Sequence, residues 1–206
     1  MTGEYHGPRG RGRPRRATSN RVAATALRLF REQGFEATTA EDIAAAAGIG
    51  RSTFFRYFGS KSEILWHCSA EQVRGLQERL RHPAPGGNPF AVVARAVVDV
   101  TRDIQPQEAL AARDYAAIVA ERPDLDSAAQ RWSARRIAAI RDYVARELGQ
   151  DRFDVVPVTF AYAIDGAVRA AGIRFGRSAG EELHELVAAS VAPVYAGFAL
   201  AVMEST

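Results

Sequence analysis

Helix signals run along almost the whole chain and strand signals are nearly absent, which narrows the possible folds to all-helical ones. No sustained two-residue alternation is bounded by hairpin turns; apolar residues instead recur at three- and four-residue spacings between helix starts and stops. Ser19 or Asn20 is placed to cap a first helix with Val22, Ala26, Leu29 and Phe30 on one face, and Gly34 to end it. Thr39 caps a second helix running to Ala47, a third covers 51–57, and a fourth from Ser60 carries Ile64, Cys68, Leu76 and Leu80 before HPAPGGNP stops it. Asn88 and Pro89 open the next helix, whose stripe is Phe90, Val93, Val97, Val100 and Ile104, with Arg95, Asp99 and Arg102 opposite and spaced to pair. Pro106 and Pro123 open helices near 106–121 and 123–148, Gly149 closes the latter, and two more lie near 154–176 and 179–203. About nine helices and no sheet are expected, divided into an arm (1–18), a small domain (19–65) and a larger one (66–206).

Residues 40–57, AEDIAAAAGIGRSTFFRY, fit two short helices crossing steeply. Ile43, Ala47, Ile49 and Phe54 fall where such a pair buries side chains, Ala44 keeps the crossing point small, and Gly48 permits the left-handed backbone of the tight turn. The second helix would then present its start to the DNA major groove. Arg51 is the best base reader there, because a guanidinium bonds guanine O6 and N7 together. Ser52 and Thr53 suit a base or a phosphate, and Tyr57 and Lys61, the chain's single lysine, suit phosphates.

The run TTAEDIAAAAGIGRSTFFRYFGSKSEIL resembles the signature of the TetR/AcrR-family transcriptional regulators over residues 20–65. The resemblance implies an all-α, nine-helix homodimer that binds a palindromic operator, usually as a repressor, and leaves it when a small molecule enters the larger domain. It also implies that Thr39, Arg51, Ser52, Thr53, Tyr57 and Lys61 contact DNA. Two positions depart from the family pattern: Gly50 stands where Ser or Thr usually caps the recognition helix, and Phe55 stands where a tyrosine usually reaches a phosphate, with Arg56 beside it as a substitute. RSTFFRYFGSKSEILW is further similar to actinobacterial regulators linked to mycofactocin clusters, for which acyl-CoA effectors are implied.

Ahead of this domain lies PRGRGRPRR, residues 8–16. Residues 1–21 hold six arginines against Glu4, although the whole chain's formal net charge is only +3, so the basicity is local and the rest of the chain is slightly acidic. RGRP at 11–14 resembles the core of an AT-hook, in which arginines follow a narrow A/T-rich minor groove. Arg11 and Arg13 are the candidates for the groove, and Arg9, Arg15 and Arg16 for phosphates. The bland alternative is a disordered solubilising tail.

Beyond residue 66 only periodicity speaks. The penultimate helix carries Phe160, Ile164, Ala167, Val168, Ala171 and Phe175 on one stripe and small Ala163, Gly166 and Ala170 on another side. The last helix carries Val187, Val191, Val194 and Phe198 on one face with alanines opposite. Each helix has two buriable sides, as a two-fold four-helix dimer interface requires, and Ala163, Gly166, Ala170, Val187, Val191, Val194 and Phe198 are the candidate interface residues. Arg136 lies within an apolar arc between Trp132 and Ile140, so it needs a carboxylate partner or an anionic ligand. Trp66, Phe90, Val97, Thr101, Tyr115, Val119, Trp132 and Phe160 are candidates to line an effector cavity with it; plain core packing is the alternative.

Other classes fit less well. Residues 186–203 are uncharged over about the shortest length of a membrane span, but they include Ser190, Pro193 and Gly197 and no basic residue follows, so a buried or interface helix in a cytoplasmic protein is expected. One cysteine allows no internal disulfide, the four histidines are scattered, and no hydrolase, metalloprotease or phosphate-loop motif occurs, so neither an enzyme nor a cofactor or metal site is expected. An architectural A/T-rich DNA binder, or an activator of the same fold, are the competing functions.

Overall fold

The computed structural model describes residues 15–65, 67–83, 87–104, 109, 112–114, 116–118, 126–178 and 180–203, and among them every regular element is helical. The helices are α1 (Arg15–Gln33), α2 (Ala40–Ala46), α3 (Arg51–Tyr57), α4 (Lys61–Leu65), α5 (His67–Arg81), α6 (Pro89–Arg102), α7 (Asp126–Leu148), α8 (Val155–Arg177) and α9 (Leu183–Met203). Residues 112–114 and 116–118, between α6 and α7, are also helical. Helix α1 starts four residues earlier than its expected cap, so Ser19 and Asn20 lie inside it. Arg15 and Arg16 therefore belong to a helix and not to an arm reaching residue 18. No glycine or proline stands between Arg15 and Gly34 to stop the helix from propagating backwards.

Two cores form. The N-terminal one gathers Val22, Ala26, Leu27 and Phe30 of α1 around Ile43 and Ala44 of α2, Phe54 of α3, Phe58 and Ile64. The C-terminal one joins α5, α6, α7, α8 and α9 around Phe90, Val97, Ile140, Val144, Phe160, Ile164, Val187 and Val191. Asn88 caps α6 by accepting from the Phe90 N–H at 2.9 Å, and Pro89 occupies the first helical position. Phe90, Phe160 and Phe198 meet as a ring triad with centroids 4.8–5.6 Å apart, each ring contact adding about 0.5–1.5 kcal/mol to the burial it accompanies. Gly149, at φ 64°, ends α7 with the Gln150 N–H returning to the Ala145 carbonyl, the left-handed stop expected of it.

The cores touch through few groups. Ile118 and Trp132 pack on the N-terminal core, and Arg31 of α1 donates to Asp114 at 3.0 Å. Asp114 is buried, and burial raises its pKa from the ordinary carboxylate value despite the opposing pull of Arg31. At the other end of that segment a Cβ on Gly176 would come within 2.8 Å of the backbone at Ala116 and Ala117, so the close approach of α8 requires glycine there.

One side of α8 and one of α9 stay open. Tyr162, Gly166, Ala170 and Ile173 are exposed along α8, and Ala189, Ala192, Ala196 and Leu200 along α9. Helix α9 is long and apolar enough to cross a membrane by length and composition, yet it packs along α6 and α8 and is interrupted by Pro193. The candidate dimer residues divide accordingly. Gly166 and Ala170 are on the open side and Ala163 at its half-buried margin. Val187 and Val191 are buried in the chain's own core, where Val194 and Phe198 also pack, so the wrong face of α9 was assigned to the interface. The bulky residues fill the core and the small ones are left outside.

Candidate nucleic-acid interface

Thr39 starts α2 with a reciprocal capping box. Its hydroxyl oxygen accepts from the Asp42 N–H at 3.1 Å, and Asp42 Oδ2 accepts both from the Thr39 N–H at 2.9 Å and from the Thr39 hydroxyl at 2.6 Å. These bonds, the hydroxyl's first, pull the Asp42 pKa below the ordinary carboxylate value. The hydroxyl proton is thus engaged inside the chain, where Thr39 fixes the start of α2.

Gly48 makes the turn at φ 66°, and its left-handed backbone returns the Ile49 N–H to the Ala44 carbonyl at 2.9 Å. Helix α3 then begins after Gly50, which has ordinary φ and no side chain to cap with, and buries only Phe54. Arg51, Ser52, Phe55 and Arg56 project as one exposed face, with Gly50 exposed ahead of them. Thr53 and Tyr57 are half-buried at its edge, where the Thr53 hydroxyl accepts from Arg56 at 3.3 Å and the Arg56 guanidinium lies 5.6 Å from the Tyr57 ring. The Arg51 side chain is 70% exposed, so its guanidinium faces outward as a base reader must. Its charge pairs with Glu41, an exposed acid on α2 that the sequence alone does not single out, and it lies 5.5 Å from the exposed Phe55 ring.

The Lys61 ammonium donates to the carbonyls of Phe35, Glu36 and Thr38 at 2.8, 3.2 and 3.2 Å and sits 4.5 Å from the Phe35 ring centre. All three donors of the group point at the loop between α1 and α2. The ammonium so clamps the segment that delivers Thr39. Of the basic arm, Arg9, Arg11 and Arg13 lie outside the described residues, and Arg15 and Arg16 are described only as helical backbone.

In the larger domain the arginine finds its carboxylate. Arg136 Nε donates to Asp165 Oδ1 at 2.8 Å, and the Ser133 hydroxyl is shared between both Asp165 oxygens at 2.8 and 3.0 Å. Beside this group Val97, Thr101 and Arg136, together with Gln72, Val73, Leu76, Val100 and Val168, line a cleft of about 20 Å³. That is room for a water and not for an acyl chain. Phe90 and Phe160 are core and do not reach the cleft. Trp132 is turned to the N-terminal core, with Arg135 stacked at 4.5 Å from its ring, because the interdomain contact offers it apolar partners. Trp66, Tyr115 and Val119 lie outside the described residues.

Comparison with known proteins follows this division. Residues 22–68 match the family model described as bacterial regulatory proteins, tetR family, and residues 88–199 match the MftR C-terminal domain. The chain is 28% identical to the mycofactocin biosynthesis transcriptional regulator MftR of Mycobacterium tuberculosis (strain ATCC 25618 / H37Rv), over 90% of this chain and 93% of that protein. Among solved structures it is similar to Thermus thermophilus FadR, a TetR family transcriptional repressor in complex with lauroyl-CoA (TM-score 0.50, 25% identity, 85% of this chain and 92% of that one). It also shares the fold of the fatty acid degradation regulator FadR from Bacillus halodurans (TM-score 0.59, 17% identity, 90% of this chain and 97% of that one).

Proposed function

The chain belongs to the TetR family of bacterial regulatory proteins, with a C-terminal domain of the MftR kind, and we propose that it represses transcription from a two-fold symmetric operator that it leaves when a small molecule enters the larger domain. Family membership makes it a helix-turn-helix transcriptional regulator and not an enzyme. The observation that carries the reading is the outward face of α3. A capping box, a left-handed glycine and a buried phenylalanine hold Arg51, Ser52 and Arg56 clear of the fold.

In this reading Arg51 addresses base edges, Ser52, Thr53, Arg56 and Tyr57 hold phosphates or bases, and Thr39 and Lys61 position the helix pair. Arg11 and Arg13 extend the contact into an adjacent minor groove, and Arg9, Arg15 and Arg16 neutralise phosphates. A second copy docks on the open sides of α8 and α9, bringing the other half-site reader into place.

The effector is proposed to be a hydrophobic small molecule of the acyl-CoA class. The support is the lauroyl-CoA in the Thermus FadR structure together with the apolar cleft beside Arg136. Because the cleft is too small for an acyl chain, entry must part α5 from α6 and α7. Helix α5 also contacts α1, so the parting reaches the DNA-reading domain. The test selects genomic fragments with the pure protein, footprints them, and titrates the complex with lauroyl-CoA and, separately, with lauric acid and coenzyme A. Protection of a symmetric site, released by lauroyl-CoA alone, supports the reading. Broad protection of A/T-rich DNA, or an operator complex indifferent to lauroyl-CoA, counts against the operator and the effector class respectively.

A further inference from the structure

The exposed face that α2 and α3 turn outward contains an acid, and its placement calls for a reason. Glu41 stands at the second position of α2 with its side chain 55% exposed, and its Oε1 lies 2.9 Å from Nε of Arg51. A pair this open adds little to folding. Facing a polyanion, a carboxylate also weakens association at every sequence alike. What it does accomplish is local to the guanidinium.

The carboxylate meets Arg51 on the Nε side, and the Phe55 ring lies 5.5 Å from its central carbon. The terminal pair of nitrogens is left as the edge that can address guanine O6 and N7 together. An unrestrained arginine spreads its fork over many rotamers; one drawn by charge toward Glu41 and flanked by a ring favours fewer of them, so less freedom is lost when the base is met. We propose that Glu41 is a positioning residue that sets operator specificity, steering the Arg51 fork toward guanine in each half-site. The proposal rests on the reading that α3 enters the major groove.

Fragment selection and anisotropy titration on selected and scrambled DNA, run with the full-length wild type, Glu41→Ala, Glu41→Gln and Arg51→Ala, test it. Glu41→Ala is expected to recover the same symmetric site with guanine relaxed at one position per half-site. Its ratio of specific to scrambled affinity should be about tenfold lower, as scrambled DNA is bound more tightly and the operator less selectively. Glu41→Gln keeps an acceptor for Nε and should fall between wild type and Glu41→Ala. A fifth protein carrying both Glu41→Ala and Arg51→Ala should match Arg51→Ala at the guanine position. Thermal unfolding should not move in any of them. If Glu41→Ala keeps the guanine preference, or gains affinity equally for all sequences with the ratio intact, Glu41 is only a surface charge and the proposal fails while groove reading by α3 stands. If the wild type selects no symmetric site, both fail.

Discussion

Replacing Asp165 with alanine should be among the most damaging single changes in the larger domain. Arg136 and Asp165 are 12% and 9% exposed, and the carboxylate also receives the Ser133 hydroxyl. The variant leaves a guanidinium facing an apolar cleft without its counter-charge, which costs about 3–5 kcal/mol. For a chain of this size each kcal/mol corresponds to about 2–4 °C, so the unfolding midpoint should fall by about 6–20 °C. Arg136→Met combined with Asp165→Leu removes both charges and keeps the volume, and should stay within about 1 kcal/mol of the wild type or exceed it. The three proteins are to be compared by urea unfolding at one fixed protein concentration, since association of copies adds to apparent stability. An Asp165→Ala protein within about 1 kcal/mol of the wild type would refute the reasoning, because it would mean that Arg136 finds solvent or another acid as readily as it finds Asp165.

Three further outcomes follow from the same structure. Lys61→Met should lower stability by about 2 kcal/mol through the loss of charged hydrogen bonds to the loop, while the salt dependence of operator binding keeps its slope; a slope smaller by about 0.9 with stability unchanged would make Lys61 a phosphate contact after all. A chain starting at Arg15 should lose about 0.9 from that slope for each phosphate contact of the arm, and an identical slope would leave the arm without a role on DNA. Asp114 has its folded pKa raised, chiefly by burial, so the native state binds its proton more readily than the unfolded chain does. Its contribution to stability therefore declines as pH rises from about 3.9 through the raised folded value, and Asp114→Asn should flatten that decline in unfolding measured across the window; an unaltered decline contradicts it.

The helix-turn-helix was legible because its determinants are local. Thr39 caps the helix that follows it, Gly48 alone supplies the left-handed turn, and Arg51–Tyr57 has one buried position, so spacing was enough to place each, while the reciprocal bond from Asp42 came only with the structure. The Lys61 clamp was not legible because its partners are carbonyls more than twenty residues away, and a sequence does not show where carbonyls point. Trp132 and Arg136 share a helical arc, yet one turns to the N-terminal core and the other to Asp165, a choice made by tertiary contacts. Helix α9 was read inside out for a related reason. With both sides apolar, periodicity marks two faces without saying which one the core takes, and only the ring triad around Phe198 settles that Val187 and Val191 go inward. Glu41 left no signal, since an exposed glutamate in the first turn of a helix has a sufficient explanation in the dipole.

The most direct test of the account asks whether two copies of α3 read DNA from successive major grooves on one side of the duplex. The selected operator is compared with the same operator lengthened at its centre by about half a helical turn, five base pairs, in an affinity titration at fixed salt. Two readers about 34–36 Å apart on one face lose the second half-site when it rotates to the far side, so the lengthened site should bind little better than a single half-site. Equal affinity for both lengths would contradict the account, because it would show that the protein does not bind as a pair with its two α3 helices in register.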